Sequence, residues 1–245
     1  MPIDTDILLS VLLVAVYLTD SMHFLSIGEA LITTRAGRPR RLSFGSGFEL
    51  GGRRVFLSNP LTPFWPEFRV EWDITGSPVD APAEVAQLFT QHLRALRMVM
   101  PLMAVSGILV VLVAPIAIAF KFEFVFLLVV GLALLVSIAA CVVIVARRRV
   151  LGLTAGQTVS VVFVALICLP CAPNLVRAVT RRRHWRLNAQ DLPQLGFDPA
   201  AAAIARASAH AALLSAQRFV PEEGEQRQVI EEQLRALNEN EASIR

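Results

Sequence analysis

Cys168-Leu-Pro-Cys171 carries the spacing of a dithiol that cycles between thiol and disulfide, or of half a metal site. A reactive pair needs one thiol held as thiolate by a helix N-terminus or a nearby cation. Here the pair closes an apolar run, and the first arginine after it is Arg177. Apolar surroundings raise a thiol pKa and make it inert. A metal would need further ligands, and no other His or Cys pair has matching spacing. Cys168 and Cys171 are therefore expected to be small packing residues, with membrane thiol-redox chemistry as a third-ranked function.

Asp20 and His23 raise a different possibility. They stand three apart, so on a continuous helix they share a face. Ionisable groups inside a membrane helix are costly and tend to mark function, and a proton or ion relay would use such a pair. Against this, the hydrocarbon part of the segment can end near Leu18, leaving Asp20 among headgroups. A third constellation is basic: Arg35, Arg38, Arg40 and Arg41, joined by Arg53 and Arg54. Each such residue near an anionic bilayer contributes about 1 kcal/mol. They form a candidate face for lipid or an acidic partner, or else only a topology signal. No aromatics interleave with them as a stacking platform requires, so no nucleic-acid partner is expected. Gly152-Leu-Thr-Ala-Gly156 lacks the Gly-Lys-Ser/Thr ending of a phosphate loop. No Ser-His-Asp or paired-carboxylate order stands out, so neither an enzyme, a cofactor nor a metal is expected.

The elements that must position these residues are mostly apolar. Hydrophobic residues make up 55% of the 245, and the mean hydropathy is +0.57. Soluble domains usually hold about 45–50% apolar residues even counting glycine. Met98–Phe120 and Phe124–Ala146 are uncharged apart from what bounds them, and each is long enough for the roughly 20 helical residues that a hydrocarbon core needs. Ile7–Leu25 is a further apolar run. It carries Asp4 and Asp6 where a signal peptide has basic residues, so it is expected to be a retained helix. The spacers Gly107, Gly131, Ala133, Ala139 and Ala140 suit close helix contact.

Arginine placement suggests a threading, because Lys and Arg are retained on the cytoplasmic side. Of 23 basic residues only Lys121 is lysine. That bias, with abundant alanine, suggests a bacterial source and hence the inner (cytoplasmic) membrane. The arginines after the first helix and the run Arg147, Arg148, Arg149 fall on one side if the earlier helices cross. The segment Thr158–Cys171 then poses a conflict. It is short and broken by Pro170 and Pro173, and Arg177, Arg181, Arg182, Arg183 and Arg186 follow it. Either it makes a fourth crossing, bent at Pro170, or it enters and returns so that every arginine cluster stays inside.

Turn signals at Ala36-Gly37, Gly45-Ser-Gly47 and Gly51-Gly52 predict a meander of short strands. The clearest alternation sets Phe68, Val70 and Trp72 against Arg69, Glu71 and Asp73. The stretch "GEALITTRAGRPRRLSFGSGF" after a membrane helix resembles the start of stomatin-type proteins. That family's α/β body and coiled coil have no room here, because two hydrophobic spans follow, and no family is assigned. From Asp80 an amphipathic helix is expected, with Val85, Leu88, Phe89, His92 and Leu96 on one stripe. It would lie on the membrane or cover the strands. A capped start at Asp198-Pro199 and a stripe of Val229, Ile230, Leu234 and Leu237 predict a helical tail.

The expected fold is a polytopic α-helical membrane protein (3-4 transmembrane helices) with a small β-rich extramembrane module and a helical C-terminal tail. Its parts would be transmembrane helix 1 (1–27), a cytoplasmic β-meander (28–79), an amphipathic helix (80–97), a transmembrane hairpin (98–146), a loop with the fourth segment (147–176), and a basic stretch with the tail (177–245). The expected function is that of an accessory or scaffold subunit that meets the lipid bilayer and a protein partner or its own copies. Small-solute or proton transport by an oligomer is the alternative.

Overall fold

The two uncharged apolar runs fold as the longest helical stretches of the chain, seen in a computed structural model. The structure describes residues 5–187 except 27–28, 35–40, 44, 46–47, 51–52 and 73–80, then scattered positions between 195 and 217, residue 221, and 224–242. The described residues are mostly helical with a small sheet module, and they separate into two units. The first comprises Met1–His23, Leu57–Pro66 and Gln91–Arg183; the second comprises Phe24–Phe56, Glu67–Thr90 and His184–Arg245.

In the first unit α1 runs from Thr5 to Asp20. It stops where Thr19 and Ser21 turn their hydroxyls back onto the carbonyls of Val16 and Tyr17, each at 2.9 Å. The expected helix to residue 27 therefore ends early, and strand β1 (Met22–Leu25) takes its place. Helix α3 (Val99–Gly107) passes through a π-helical stretch, Ile108–Val113, into α4 (Ala114–Ala119). Pro115 explains the widening. It has no N–H to give to the carbonyl four residues back, and its ring would strike that carbonyl. The backbone accordingly shifts register, and the Ala114 N–H reaches the Leu109 carbonyl.

Lys121, at φ 57°, reverses the chain into α5 (Glu123–Arg147). Residues Ala133, Ser137, Ala140 and Ile144 line the buried face of α5 at helical spacing. Of the glycines expected to serve helix contact, Gly107 faces the loop instead: a Cβ there would lie 3.2 Å from Pro63. A Cβ on Gly131 would have nothing within 4 Å. Thr154 and Gln157 form a reciprocal capping box that starts α6 (Ala155–Ile167). A 3₁₀ turn, Leu169–Asn174, then carries both prolines into α7 (Leu175–Thr180). Val99, Met103, Ile144, Val161, Leu175 and Val176 belong to one buried cluster.

The second unit holds two sheets. One has the order β1-β5-β4, with β4 (Glu49–Leu50) and β5 (Arg53–Leu57) forming a hairpin. The other has the order β3-β2-β6-β7, from β3 (Arg41–Ser43), β2 (Glu29–Thr33), β6 (Glu67–Trp72) and β7 (His184–Leu187). The expected meander is thus corrected: β2 pairs with distant β6, and β7 adds a parallel strand with Val70 opposite Trp185. Parallel strands require a crossover, and here it is everything between residues 73 and 183. Strand β7 lies in a segment read from the sequence as a basic stretch.

The division between the units falls inside α2 (Pro82–Leu96). Within the second unit Phe89 stacks on Phe68 at 4.3 Å and meets Trp185 edge-on at 5.4 Å. Of the two placements open to α2, this part covers the strands. The tail helix α8 (Glu225–Ala242) buries Ile230 and Leu234 as its stripe requires. Asp80, Asp198 and Pro199 lie outside the described residues.

Glu29 and Arg69 form an ion pair across β2 and β6, and the Ser26 N–H adds a bond to the same carboxylate at 2.8 Å. Burial opposes ionisation of Glu29. The Arg69 hydrogen bond, the Ser26 N–H and the charges of Arg69 and His184 outweigh it and hold the carboxyl below its ordinary value of 4.5. A carboxyl depressed by folding contributes stability above its unfolded value, and that contribution is lost as pH falls through the lower folded value. Melting measured across this acidic range will fall steeply in the wild type and less steeply in Glu29→Gln. Parallel curves would remove the pair from the pH dependence.

Candidate functional site

A polar cluster lies within the first unit, at the end of α1. Arg177 is 1% exposed although it sits in the otherwise apolar-rich α7. Its Nη1 donates to Asn174 Oδ1 at 3.0 Å, and its Nη2 donates to the carbonyls of Asn59 at 2.7 Å and Thr62 at 2.8 Å. Asn174 precedes α7 without capping it. Its Nδ2 donates to Asp20 Oδ2 at 2.8 Å and to Ser21 Oγ at 3.0 Å. These partners fix the amide orientation, because the oxygen must face the guanidinium and the nitrogen the carboxylate. Ser21 in turn accepts the Ser58 N–H on its carbonyl at 3.1 Å, and the Tyr17 hydroxyl donates to the Pro60 carbonyl.

Three stretches of chain meet here: residues 17–21, 58–62 and 174–181. In the loop Asn59–Pro66, Pro63 and Pro66 are buried, and Phe64 packs on the core cluster of this unit. Asp20 and His23 do not share a helix face, because α1 ends between them. Asp20 is taken by Asn174, while His23 Nδ1 accepts Arg181 Nη1 at 2.7 Å. Arg181 and Arg177 both act electrostatically on the Asp20 carboxylate. An amide does not titrate, and an arginine keeps its proton. Asn174 and Arg181 therefore give Asp20 and His23 fixed geometry and charge compensation.

Cys168 and Cys171 are joined in a disulfide between α6 and α7. This corrects the reading of two free packing thiols: the sharp turn enforced by Pro170 brings the sulfurs together. The surrounding 3₁₀ backbone keeps Ala172, Pro173 and Asn174 buried. Half of the expected basic face falls on described residues. Arg41 lies on β3, while Arg53 and Arg54 lie on β5 of the other sheet. Arg35, Arg38 and Arg40 lie outside the described residues. No group of His, Cys, Asp and Glu suited to a metal occurs among the described residues.

No family model, curated protein or solved structure matches this chain. The site is accordingly read from its own geometry. The sequence reading passed over Asn174 and counted Arg177 only as a topology charge. The available signal was a lone arginine inside Leu175-Val-Arg-Ala-Val-Thr180, which demands buried partners if that segment packs.

Arg177→Leu removes one of two hydrogen bonds on each of the Asn59 and Thr62 carbonyls and takes the guanidinium donor from the buried Asn174 Oδ1. An orphaned buried group costs about 1–3 kcal/mol. The expected outcome is a lower melting temperature in detergent, with hydrogen exchange rising first in residues 57–66. Unchanged exchange in that loop would show that Arg177 does not hold it.

Proposed function

We propose that this chain is an integral membrane protein with three crossing helices and a hairpin that enters the bilayer and returns, acting as an accessory or scaffold subunit. The observation that carries this reading is the closure of the segment 152–183. A Cβ built on Gly152 would lie 3.1 Å from Arg183 Nη1, so the two ends of the segment are neighbours. The Cys168–Cys171 turn sits between them. An entering and returning path satisfies the arginines, which a fourth crossing does not.

Membrane insertion is supported by the surfaces of the helices. Val99–Ala119 and Glu123–Arg147 are long and apolar enough to cross, and only 33% of each apolar window is buried. The core helix of a soluble protein hides most of its apolar residues. Here Leu112, Ile116, Leu127, Leu128 and Leu135 face outward. In α1, Ile7, Leu8, Val11 and Leu12 are exposed too. Its 16 residues span about 24 Å, short of a core of about 30 Å, and such a mismatch is met by local thinning. Lys121 and Asp6 lie 3.7 Å apart, so α1 begins at the end of the unit where α4 turns into α5. In a bacterial inner membrane this threading puts the strands and the arginine clusters on the cytoplasmic side. A buried polar clamp of groups that hold one another in place supports a scaffold that meets lipid, a protein partner or its own copies.

Reporter fusions after residues 150 and 190 will report the same, cytoplasmic side, and the protein will stay in membranes washed at alkaline pH. Opposite sides would replace the returning hairpin by a fourth crossing.

The disulfide favours a second reading, membrane thiol exchange. An oxidised Cys168–Cys171 would accept two electrons and two protons from a dithiol, which leaves as a disulfide. Cytosolic thiols are normally kept reduced, so an oxidised pair implies shelter from that pool. Maleimide labelling in intact membranes separates the cases. A redox protein will show reversible protection of both cysteines, and a loss of partner-protein disulfides in the double serine variant. Permanently oxidised cysteines with no such loss would reduce the bond to a staple.

A further inference from the structure

The end of α5 and one face of α6 enclose a groove of about 430 Å³. Its wall is a stripe of apolar side chains, Val159, Val162, Phe163 and Leu166, repeating at helical spacing along α6. Val159 is 67% and Phe163 60% exposed, so within this unit the stripe has nothing laid over it. At one end the lining changes character: Arg148 and Thr158 supply its polar atoms, and no carboxylate is present. Arg147 and Arg149 flank Arg148, and Arg182 lies against α6 with its Nη2 on Ser160 Oγ at 3.1 Å.

We infer that this groove holds one anionic phospholipid, its acyl chain along α6 and its phosphate at Arg148. The inference rests on the membrane reading above. Length, chemistry and charge all agree with that occupant. The 13 residues of α6 extend about 20 Å, more than the roughly 15 Å that one leaflet contributes to the hydrocarbon core. The capping box at Thr154 marks where α6 begins, next to the three arginines that end α5. An acyl chain therefore runs from a basic rim into an apolar wall without crossing a polar group. A soluble anion would use the rim and leave the stripe bare. A second copy of this chain would need an acidic element at the rim, and the acidic residues Asp6 and Glu123 of the apolar helices lie at the other end of the unit from Arg148.

The site also accounts for the asymmetry of α6. A helix that enters and returns has lipid on its outer face, and the groove seats one lipid there. Filling it would hold α6 against α5 at the level where packing between them is open.

The test uses the full-length protein in mild detergent, mixed with micelles containing equal phosphatidylglycerol and phosphatidylcholine, and read by native mass spectrometry. One phosphatidylglycerol will be retained in preference to phosphatidylcholine. Arg148→Gln will weaken that retention about fivefold, the share of one basic contact at an anionic headgroup. Arg147→Gln, outside the lining, will not. Val159→Trp, which fills the groove from an exposed position, will abolish retention at unchanged melting temperature. Phe163→Ala gives a second reading of the wall should the tryptophan variant not fold. Equal retention of the two lipids, equal losses from Arg147→Gln and Arg148→Gln, or full retention in both groove variants would each overturn the site. A chain that leaves alkaline-washed membranes would overturn the membrane reading and the site together. A chain that stays there without discriminating lipids would overturn the site alone.

Discussion

One buried guanidinium ties together the part of this chain that surrounds it. Arg177 donates to Asn174 and to two carbonyls of the 59–62 loop, while Asn174 carries the chain of bonds on to Asp20 and Ser21. A charge taken out of water is costly unless its hydrogen bonds are met. The cost works as a constraint here, because the α1 end, the proline-rich loop and the start of α7 must stay together to keep these bonds. The loop is proline-rich and cannot bond with itself as a helix or a central strand does. Its Asn59 and Thr62 carbonyls close short turns onto the Thr62 and Trp65 N–H groups, and Arg177 adds a second bond to each. Asp20, next to Arg177 and Arg181, offsets part of the positive charge.

Proline shapes the helical unit at two other places, with opposite results. In the stretch from α3 to α4, Pro115 costs one hydrogen bond, and the helix absorbs the loss by widening into a π turn without leaving its path. After α6, Pro170 and Pro173 stop the helix and turn the chain, so that Cys168 and Cys171 meet and α7 starts in a new direction. The difference lies in the surroundings. Pro115 has apolar helix before and after it, and the chain resumes its α-helical path after the shift in register. The later prolines stand beside Asn174 and Arg177, whose polar partners lie to one side and pull the chain there.

The sheet unit depends on a different balance. Strand β2 has Glu29, Ala30, Leu31 and Ile32 all buried, so it is covered on both faces and cannot follow simple alternation. Arg69 on the neighbouring strand makes the buried Glu29 tolerable. Trp185 arrives from far along the chain to close the other side of β6, against Phe89. A module of this size has a marginal core by itself, and borrowing a strand and a tail helix from the C-terminal part enlarges it.

Local patterns determined a definite share of this protein. The ends of the two long apolar helices, the stripe of α2, the Thr154–Gln157 capping box and the alternation of Phe68 and Val70 follow from residues a few positions apart, because one helical turn or one strand pleat is a local geometry. The path of the proline-broken segment stayed undecided between crossing and returning, since periodicity does not say where a chain goes after a turn. Three matters belonged to tertiary structure alone. Asp20 and His23 looked like a pair only on the assumption of a continuous helix, and α1 ends at Asp20 with strand β1 following. The two cysteines looked inert until the Pro170 turn brought their sulfurs together. Arg177 and His184–Leu187 read as basic residues along a loop, and they became a clamp and a strand because their partners lie more than a hundred residues upstream. Spacing fixes which face a residue takes; what waits opposite that face is decided by the fold.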